Sequence, residues 1–212
     1  MALSMAASHA AALLVAALAQ GAAPGAASDA LRQVDGRLQR TTDLQARFLQ
    51  SYLSASIGRE VRERGTLSLK RPGRMRWEYE TPEKKTFVSD GKSFYFYVPA
   101  DRQVIVRAQS GNPQGVAALL LSGRSLSEQF EPGLEIAPAG LARIRLTPLR
   151  PDPDVEHAFL EVDAGYRIRA IEIVDTQGNR SRFELNDLRE NLGLADKLFH
   201  FDVPSGVEVI AG

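Results

Sequence analysis

Cysteine is absent from the 212 residues. Its absence excludes disulfides, thiolate zinc sites and thiol nucleophiles, and it excludes lipidation of this chain on an N-terminal cysteine. An excess of either charge is lacking too. Lys plus Arg number 26 and Asp plus Glu number 26, so no global field draws the protein to nucleic acid or to an anionic membrane. Histidine is scarce: His9, His157 and His200 are the whole complement. With no HExxH spacing and no clustered carboxylates around them, no metal site is expected. The GxSxG elbow, the P-loop and a GxGxxG after a strand are all missing. Asp152 and Asp154 sit among prolines and read as an exposed loop, and the other carboxylates read as solvated. Arg74 and Arg76 beside Trp77 alternate with Glu78, which marks a solvated strand face rather than a nucleic-acid site. No catalytic residue and no cofactor is expected.

Long hydrophobic runs are also lacking. The apolar stretch from Ala10 to Ala19 is too short to span a bilayer as a helix. Small residues follow it up to Ala27, with Ala17-Leu18-Ala19 as one A-x-A cleavage site and the stretch before Ser28 as another. This is the pattern of a secretory signal peptide over residues 1–27, cleaved between 19 and 27, although no Lys or Arg precedes the run. Residues 28–212 then form a single domain.

What is present is mostly alternation. Leu31, Val34 and Leu38 give a short amphipathic helix within Asp29 to Gln39. Beyond it the period becomes two. Leu44, Ala46, Phe48 and Tyr52 share one face, as do Leu67 and Leu69, and Met75, Trp77 and Tyr79. Asp90-Gly91 reads as a two-residue hairpin turn. Placing Ser89 opposite Lys92 puts Phe87 against Phe94 and gathers Phe87, Phe94, Phe96 and Val98 on one face. Val104 and Val106 continue the meander. Further strands fit Leu134–Ala137, Leu141–Thr147, Ala158–Val162, Arg167–Val174, Ser181–Leu185 and Phe199–Val203. Gly133, Gly140, Pro151-Asp152-Pro153, Gly165 and Gly178-Asn179 mark turns between them. The total is about ten or eleven strands in a mainly β, antiparallel fold. Gln114 to Ser122 breaks the alternation as a compact apolar helix, and Ser125 to Phe130 adds a helical turn.

A large antiparallel sheet must cover its apolar face. Two sheets can fill each other, or one sheet can curl into an open barrel that short helices plug only partly, leaving room for an apolar ligand. Periodicity leaves both arrangements open.

The block Leu69-Lys70-Arg71-Pro72-Gly73-Arg74-Met75-Arg76-Trp77-Glu78-Tyr79, with Pro82 after it, resembles the signature of LolA-type outer-membrane lipoprotein carriers. Val88-Ser89-Asp90-Gly91-Lys92, the aromatic run Phe94 to Tyr97, the early Phe48-x-Gln50 strand and Phe199-x-Phe201-x-x-Pro204-x-Gly206-Val207 extend the similarity in order. The resemblance implies an unclosed antiparallel β-barrel whose helical lid covers an apolar cavity. It implies a periplasmic, monomeric carrier that takes lipoprotein acyl chains from an inner-membrane releasing transporter to an outer-membrane receptor lipoprotein. Arg71 would be the lid latch, and Val116, Leu119 and Leu120 would belong to the lid. Phe48, Leu67, Leu69, Met75, Trp77, Tyr79, Phe94 and Phe96 would line the acyl-chain cavity, with a dry packed core as the ordinary alternative. The rival reading on the same scaffold is a periplasmic lipid- or envelope-stress-sensing module that acts through a protein partner.

Overall fold

In a computed structural model the chain is described over residues 25–108, 124–138 and 140–212. The expected signal peptide and the lid residues Val116, Leu119 and Leu120 lie outside the described residues. Among the described residues one α-helix, α1 (Ala26–Arg40), precedes twelve strands. These are β1 (Asp43–Leu53), β2 (Glu60–Lys70), β3 (Arg74–Thr81), β4 (Lys85–Asp90), β5 (Ser93–Val98) and β6 (Gln103–Ala108), then β7 (Phe130–Glu135), β8 (Ala142–Pro148), β9 (His157–Val162), β10 (Ile168–Val174), β11 (Arg180–Glu190) and β12 (Glu208–Ala211). The hydrogen-bonded order is β12-β6-β5-β4-β3-β2-β1-β11-β10-β9-β8-β7. Its two terminal strands are not neighbours, so the sheet is open. β12 pairs in parallel with β6; the meanders β2–β6 and β7–β11 are antiparallel. Among the described residues no helix is long and apolar enough to cross a membrane.

The chain forms two compact units. The described part of unit 1 comprises residues 25–40, 52–60, 124–138 and 140–184. Ala30, Leu31 and Val34 stand on the buried stripe of α1, which packs against β7, β8 and a 3-10 turn at Leu126–Glu128. Ile144, Leu146, Leu160 and Ile171 are fully buried. Each such side chain contributes roughly 1.5–3 kcal/mol on leaving water. Asp35, buried on the same helix, accepts hydrogen bonds from the backbone N–H of Leu126 at 2.6 Å and of Ser127 at 3.0 Å, and from the Ser125 hydroxyl. Gly133 is not a turn residue. It lies with Pro132 inside β7, paired with Arg145 and Leu146. β7 is a sheet edge, where a proline is tolerated because no neighbour needs its missing N–H.

The opposite face of β8–β11 departs from the solvated carboxylates expected. Glu161 and Glu172 are buried. Arg143 donates to Glu161 at 2.6 Å and to Glu172 at 2.9 Å. Arg182 holds both oxygens of Glu161 at 2.8 Å, and Arg180 reaches Glu172 at 3.2 Å. The guanidinium of Arg143 also lies 4.0 Å from the Phe159 ring centroid. The arginines lie along the sheet and cover the carboxylates and the aromatic beneath them. His157 stands edge-on to Phe159 with its side chain 15% exposed. Burial, followed by Arg145, holds it below the ordinary histidine value.

The described part of unit 2 comprises residues 41–51, 61–108 and 185–212. Here the expected final strand is absent. Phe199 closes a 3-10 turn (Asp196–Phe199), and residues 200–204 are irregular; the closing strand is β12. The segment around this turn is a strap along one face of the β2–β6 meander. Lys70 binds Asp196 at 2.6 Å and the Leu194 carbonyl at 2.5 Å, and Arg74 reaches Asp196 at 3.2 Å. Arg76 donates to the carbonyls of Leu198 and His200. Arg74 and Arg76 are therefore half-buried strap anchors, not a solvated face. Phe199 is buried, and Phe201 packs on Tyr95 and Tyr97 at 5.5 and 5.6 Å. The strap begins at a nest of backbone N–H groups: Leu192, Gly193 and Leu194 all donate to the buried Asp43 carboxylate.

Candidate functional site: an aromatic sheet face

The other face of this meander carries the residues expected to meet acyl chains. β-Pairing aligns them in rows, because directly paired residues point the same way. One row runs Leu67, Trp77, Phe87, Phe96, Ile105 and the next runs Leu69, Met75, Ser89, Phe94, Arg107. A third row is Gly65, Tyr79, Lys85. Over five strands and five residues these rows span about 19 by 13 Å at standard sheet spacings. Phe48, on β1, adds its ring to the surface, 5.4 Å from Trp77 and 4.9 Å from Tyr79, both edge-on. Tyr79 lies 5.7 Å from Phe87, which stacks on Phe96 at 4.4 Å. Such pairs contribute about 0.5–1.5 kcal/mol each beyond burial.

All eight expected lining residues therefore belong to one unit. Phe48, Leu67, Leu69, Met75 and Trp77 are buried, whereas Tyr79, Phe94 and Phe96 are only half-buried. Tyr52 does not join them: it lies outside unit 2 and is exposed. The hairpin register also differs from expectation. Phe87 pairs with Phe96, and Ser89 with Phe94, a shift of two residues. Asp90 causes it. Its carboxylate accepts the backbone N–H of Lys92 and Ser93, each at 2.7 Å, which makes Gly91-Lys92 the central pair. Gly91, at φ 93°, supplies the positive φ that the first central position of a type II′ turn needs. An even shift keeps every side chain on its expected face.

Two features went unread in the sequence, and a third, Phe87, was read on the aromatic face but left out of the lining. Gly65 lies opposite a bulge in β3, where Glu80 is the extra residue between the Arg64–Thr81 and Gly65–Tyr79 pairs; a Cβ on Gly65 would stand 1.8 Å from the Glu78 carbonyl oxygen and 2.9 Å from Phe48. Only glycine lets β3 and the Phe48 ring approach so closely. Phe87 shares the aromatic face although it was not among the expected lining residues. A polar group also borders the rings: the Tyr79 hydroxyl donates to Gln50 Oε1 at 2.7 Å, and Lys85 pairs with Glu63 at 2.7 Å while its Nζ sits 4.2 Å from the Tyr79 ring centroid. Burial, and after it the Glu63 charge, raises the Tyr79 phenol above its usual value. Lys85 was legible in principle, as a cation at the in-facing position two residues before Phe87.

Arg71 follows β2 in a turn. Its backbone N–H donates to the Thr42 carbonyl at 2.9 Å. The side chain is half-buried, and burial lowers the guanidinium from its ordinary value. Among the described residues no group of three or more His, Asp or Glu side chains could hold a metal ion.

The model of the family described as "Outer membrane lipoprotein carrier protein LolA" matches residues 39–202. The chain is 34% identical over 186 residues to the outer-membrane lipoprotein carrier protein of Pseudomonas paraeruginosa, covering 86% of this chain and 88% of that one. It is 32% identical over 194 residues to the protein of the same name from Methylibium petroleiphilum, covering 87% and 90%. A crystal structure of an uncharacterized conserved protein from Thermus thermophilus superimposes with a TM-score of 0.54 at 15% identity, over 88% of this chain and 99% of that one; this likeness is one of fold. The family match and these identities make the chain a member of the LolA family of outer-membrane lipoprotein carriers.

Proposed function

We propose that this protein is a periplasmic carrier that binds lipoprotein acyl chains on the aromatic face of unit 2 and ferries them from the inner to the outer membrane, without a catalytic step. The observation that carries this reading is the alignment of Leu67, Trp77, Phe87, Phe96 and Ile105 with Leu69, Met75 and Phe94 on one side of the meander. The apolar side chains of this surface reward hydrocarbon in proportion to the area covered. The half-burial of Tyr79, Phe94 and Phe96 leaves part of that area for a ligand. An inner-membrane lipoprotein-releasing transporter would load the protein, and an outer-membrane receptor lipoprotein would unload it.

Burying a C16 chain contributes at most about 12 kcal/mol, from roughly 0.8 kcal/mol per CH₂. Several such chains together would make release too slow for a carrier. Part of the gain must be offset by contacts that the empty protein makes and the loaded protein loses. We assign Arg71 to that role, as the latch of a lid containing Val116, Leu119 and Leu120. The family resemblance of the Lys70-Arg71-Pro72 element and the half-burial of Arg71 support the assignment.

The test is reconstituted transfer of a triacylated lipoprotein to a membrane-anchored acceptor. Wild-type protein delivers it, whereas Arg71→Leu accumulates bound lipoprotein and transfers it at least about tenfold more slowly, the factor that 1.4 kcal/mol of added retention gives. Normal handover by Arg71→Leu removes the latch. Failure of the wild-type protein to bind any acylated cargo removes the carrier reading.

A further inference from the structure

At the end of the aromatic face where β3 and β4 meet through Tyr79 and Lys85, the surface changes character. Gln50, Glu63, the Tyr79 hydroxyl and Lys85 lie next to the rings of Phe48 and Phe87. The group is largely withdrawn from water: the Lys85 side chain is 25% exposed and that of Glu63 is 14%. Its hydrogen-bonding balance is asymmetric. The Gln50 carbonyl oxygen accepts from Tyr79, and Glu63 accepts from Lys85. Among the described residues, no hydrogen bond engages the Gln50 amide N–H groups. Lys85 carries three protons and places one of them on Glu63. Donors therefore remain where hydrocarbon contact ends, open to an acceptor on a ligand.

We infer that Gln50 and Lys85, held by Tyr79 and Glu63, form the polar terminus of the acyl site and bind the ester or amide carbonyl oxygens where the tails join the cargo's headgroup. The inference rests on the reading that the aromatic face receives acyl chains. A diacylglyceryl or N-acyl linkage offers neutral acceptors without a charge that would have to be stripped of water. The half-buried, internally neutral Lys85–Glu63 pair suits such a ligand better than an anionic one. The Tyr79 ring is the junction, since it meets the Lys85 ammonium and also Phe48 and Phe87 of the aromatic cluster. The terminus would also fix direction, holding the linkage at the Tyr79–Lys85 row while the tails run toward Leu69, Met75 and Phe94.

Two probes differing only at the linkage test this. One is a cysteinyl peptide carrying a dipalmitoyl thioglyceryl group; the other is its dihexadecyl ether, which keeps the tails and lacks both carbonyls. Binding is read from Trp77, the single tryptophan of the chain, on the aromatic face. The wild-type protein binds the ester about five- to thirtyfold tighter than the ether, as expected for one or two net hydrogen bonds. Gln50→Glu keeps an acceptor for Tyr79 but removes the amide donors, and the Lys85→Met/Glu63→Gln pair removes the ammonium without stranding a carboxylate. Each variant binds the ether as wild type does and loses most of the ester preference. Equal affinity of wild type for the two probes, or full retention of the preference in both variants, overturns the inference and leaves the carrier reading standing. Failure of wild type to bind either probe removes the carrier reading and this inference with it.

Discussion

Gly65→Ala places one methyl group where β2, β3 and Phe48 converge. The new Cβ would lie 1.8 Å from the Glu78 carbonyl oxygen, 2.8 Å from the Glu78 carbonyl carbon and 2.9 Å from Phe48 Cε1. Ordinary carbon–oxygen contacts begin near 3.3 Å, so the strands must part by about 1.5 Å. Neither neighbour is a flexible side-chain end. One is backbone in a paired strand, and the other is a ring wedged between Trp77 and Tyr79. Overpacking of this kind costs about 1–3 kcal/mol, and each ladder hydrogen bond lost as β3 moves adds about 1 kcal/mol. The expected loss is therefore about 3–4 kcal/mol, a large share of the 5–15 kcal/mol typical of folded domains. In urea the unfolding midpoint falls while the slope is retained. Gly133→Ala is the control: its Cβ would meet nothing closer than Arg145 at 3.9 Å, and its effect should stay within about 0.5 kcal/mol. A Gly65→Ala midpoint indistinguishable from the control's would show that the close approach is not a constraint on this fold.

Three further substitutions test the packing of unit 1. Asp35→Ala strands the backbone N–H groups of Leu126 and Ser127 and should cost about 2–4 kcal/mol; hydrogen exchange at those two amides should accelerate, and unchanged protection would deny the anchor. Arg182→Met leaves Glu161 buried with Arg143 as its remaining partner and should cost about 3–5 kcal/mol, measured by denaturant unfolding. In the wild-type protein, hydrogen bonding from Arg182, above all, lowers Glu161 from its usual value near 4.5. The stability this supplies is complete above that value and fades as pH falls through the depressed folded-state value. Arg182→Met should therefore flatten the acid limb of stability against pH, and an identical acid limb would refute the linkage. Gly36→Ala, inside α1 with nothing nearer than Arg40 at 3.4 Å, should raise stability by about 0.5–1 kcal/mol, visible as a higher melting temperature.

The aromatic face was legible because strand alternation is a local code. Met75, Trp77 and Tyr79 face one way whatever their partners, and an error of two residues in the Asp90 hairpin left the faces intact. Features set by distant partners were not legible. Phe199 and Phe201 alternate like a strand, yet Arg76 takes carbonyls of that segment, and the chain turns at Asp196–Phe199 instead of pairing. Glu161 and Glu172 occupy positions that would be wet in an isolated strand; they are buried because Arg143, Arg180 and Arg182 from neighbouring strands lie over them. Of the candidate site, the hydrocarbon-facing residues could be read from their period. The polar group could not, since Gln50, Glu63, Tyr79 and Lys85 meet only after separate strands have paired.

The strap has a consequence for how the molecule comes into being. Residues 191–204 cover Tyr95 and Tyr97 through Phe201, and those two tyrosines precede it by about a hundred positions. A chain emerging from a translocon with its N-terminus leading would present both sides of the β2–β6 meander to water until its last twenty or so residues arrived. Completion of the fold is thus tied to completion of export, and a chain stopped short of Asp196 would leave the periplasm with a sticky sheet in place of a carrier.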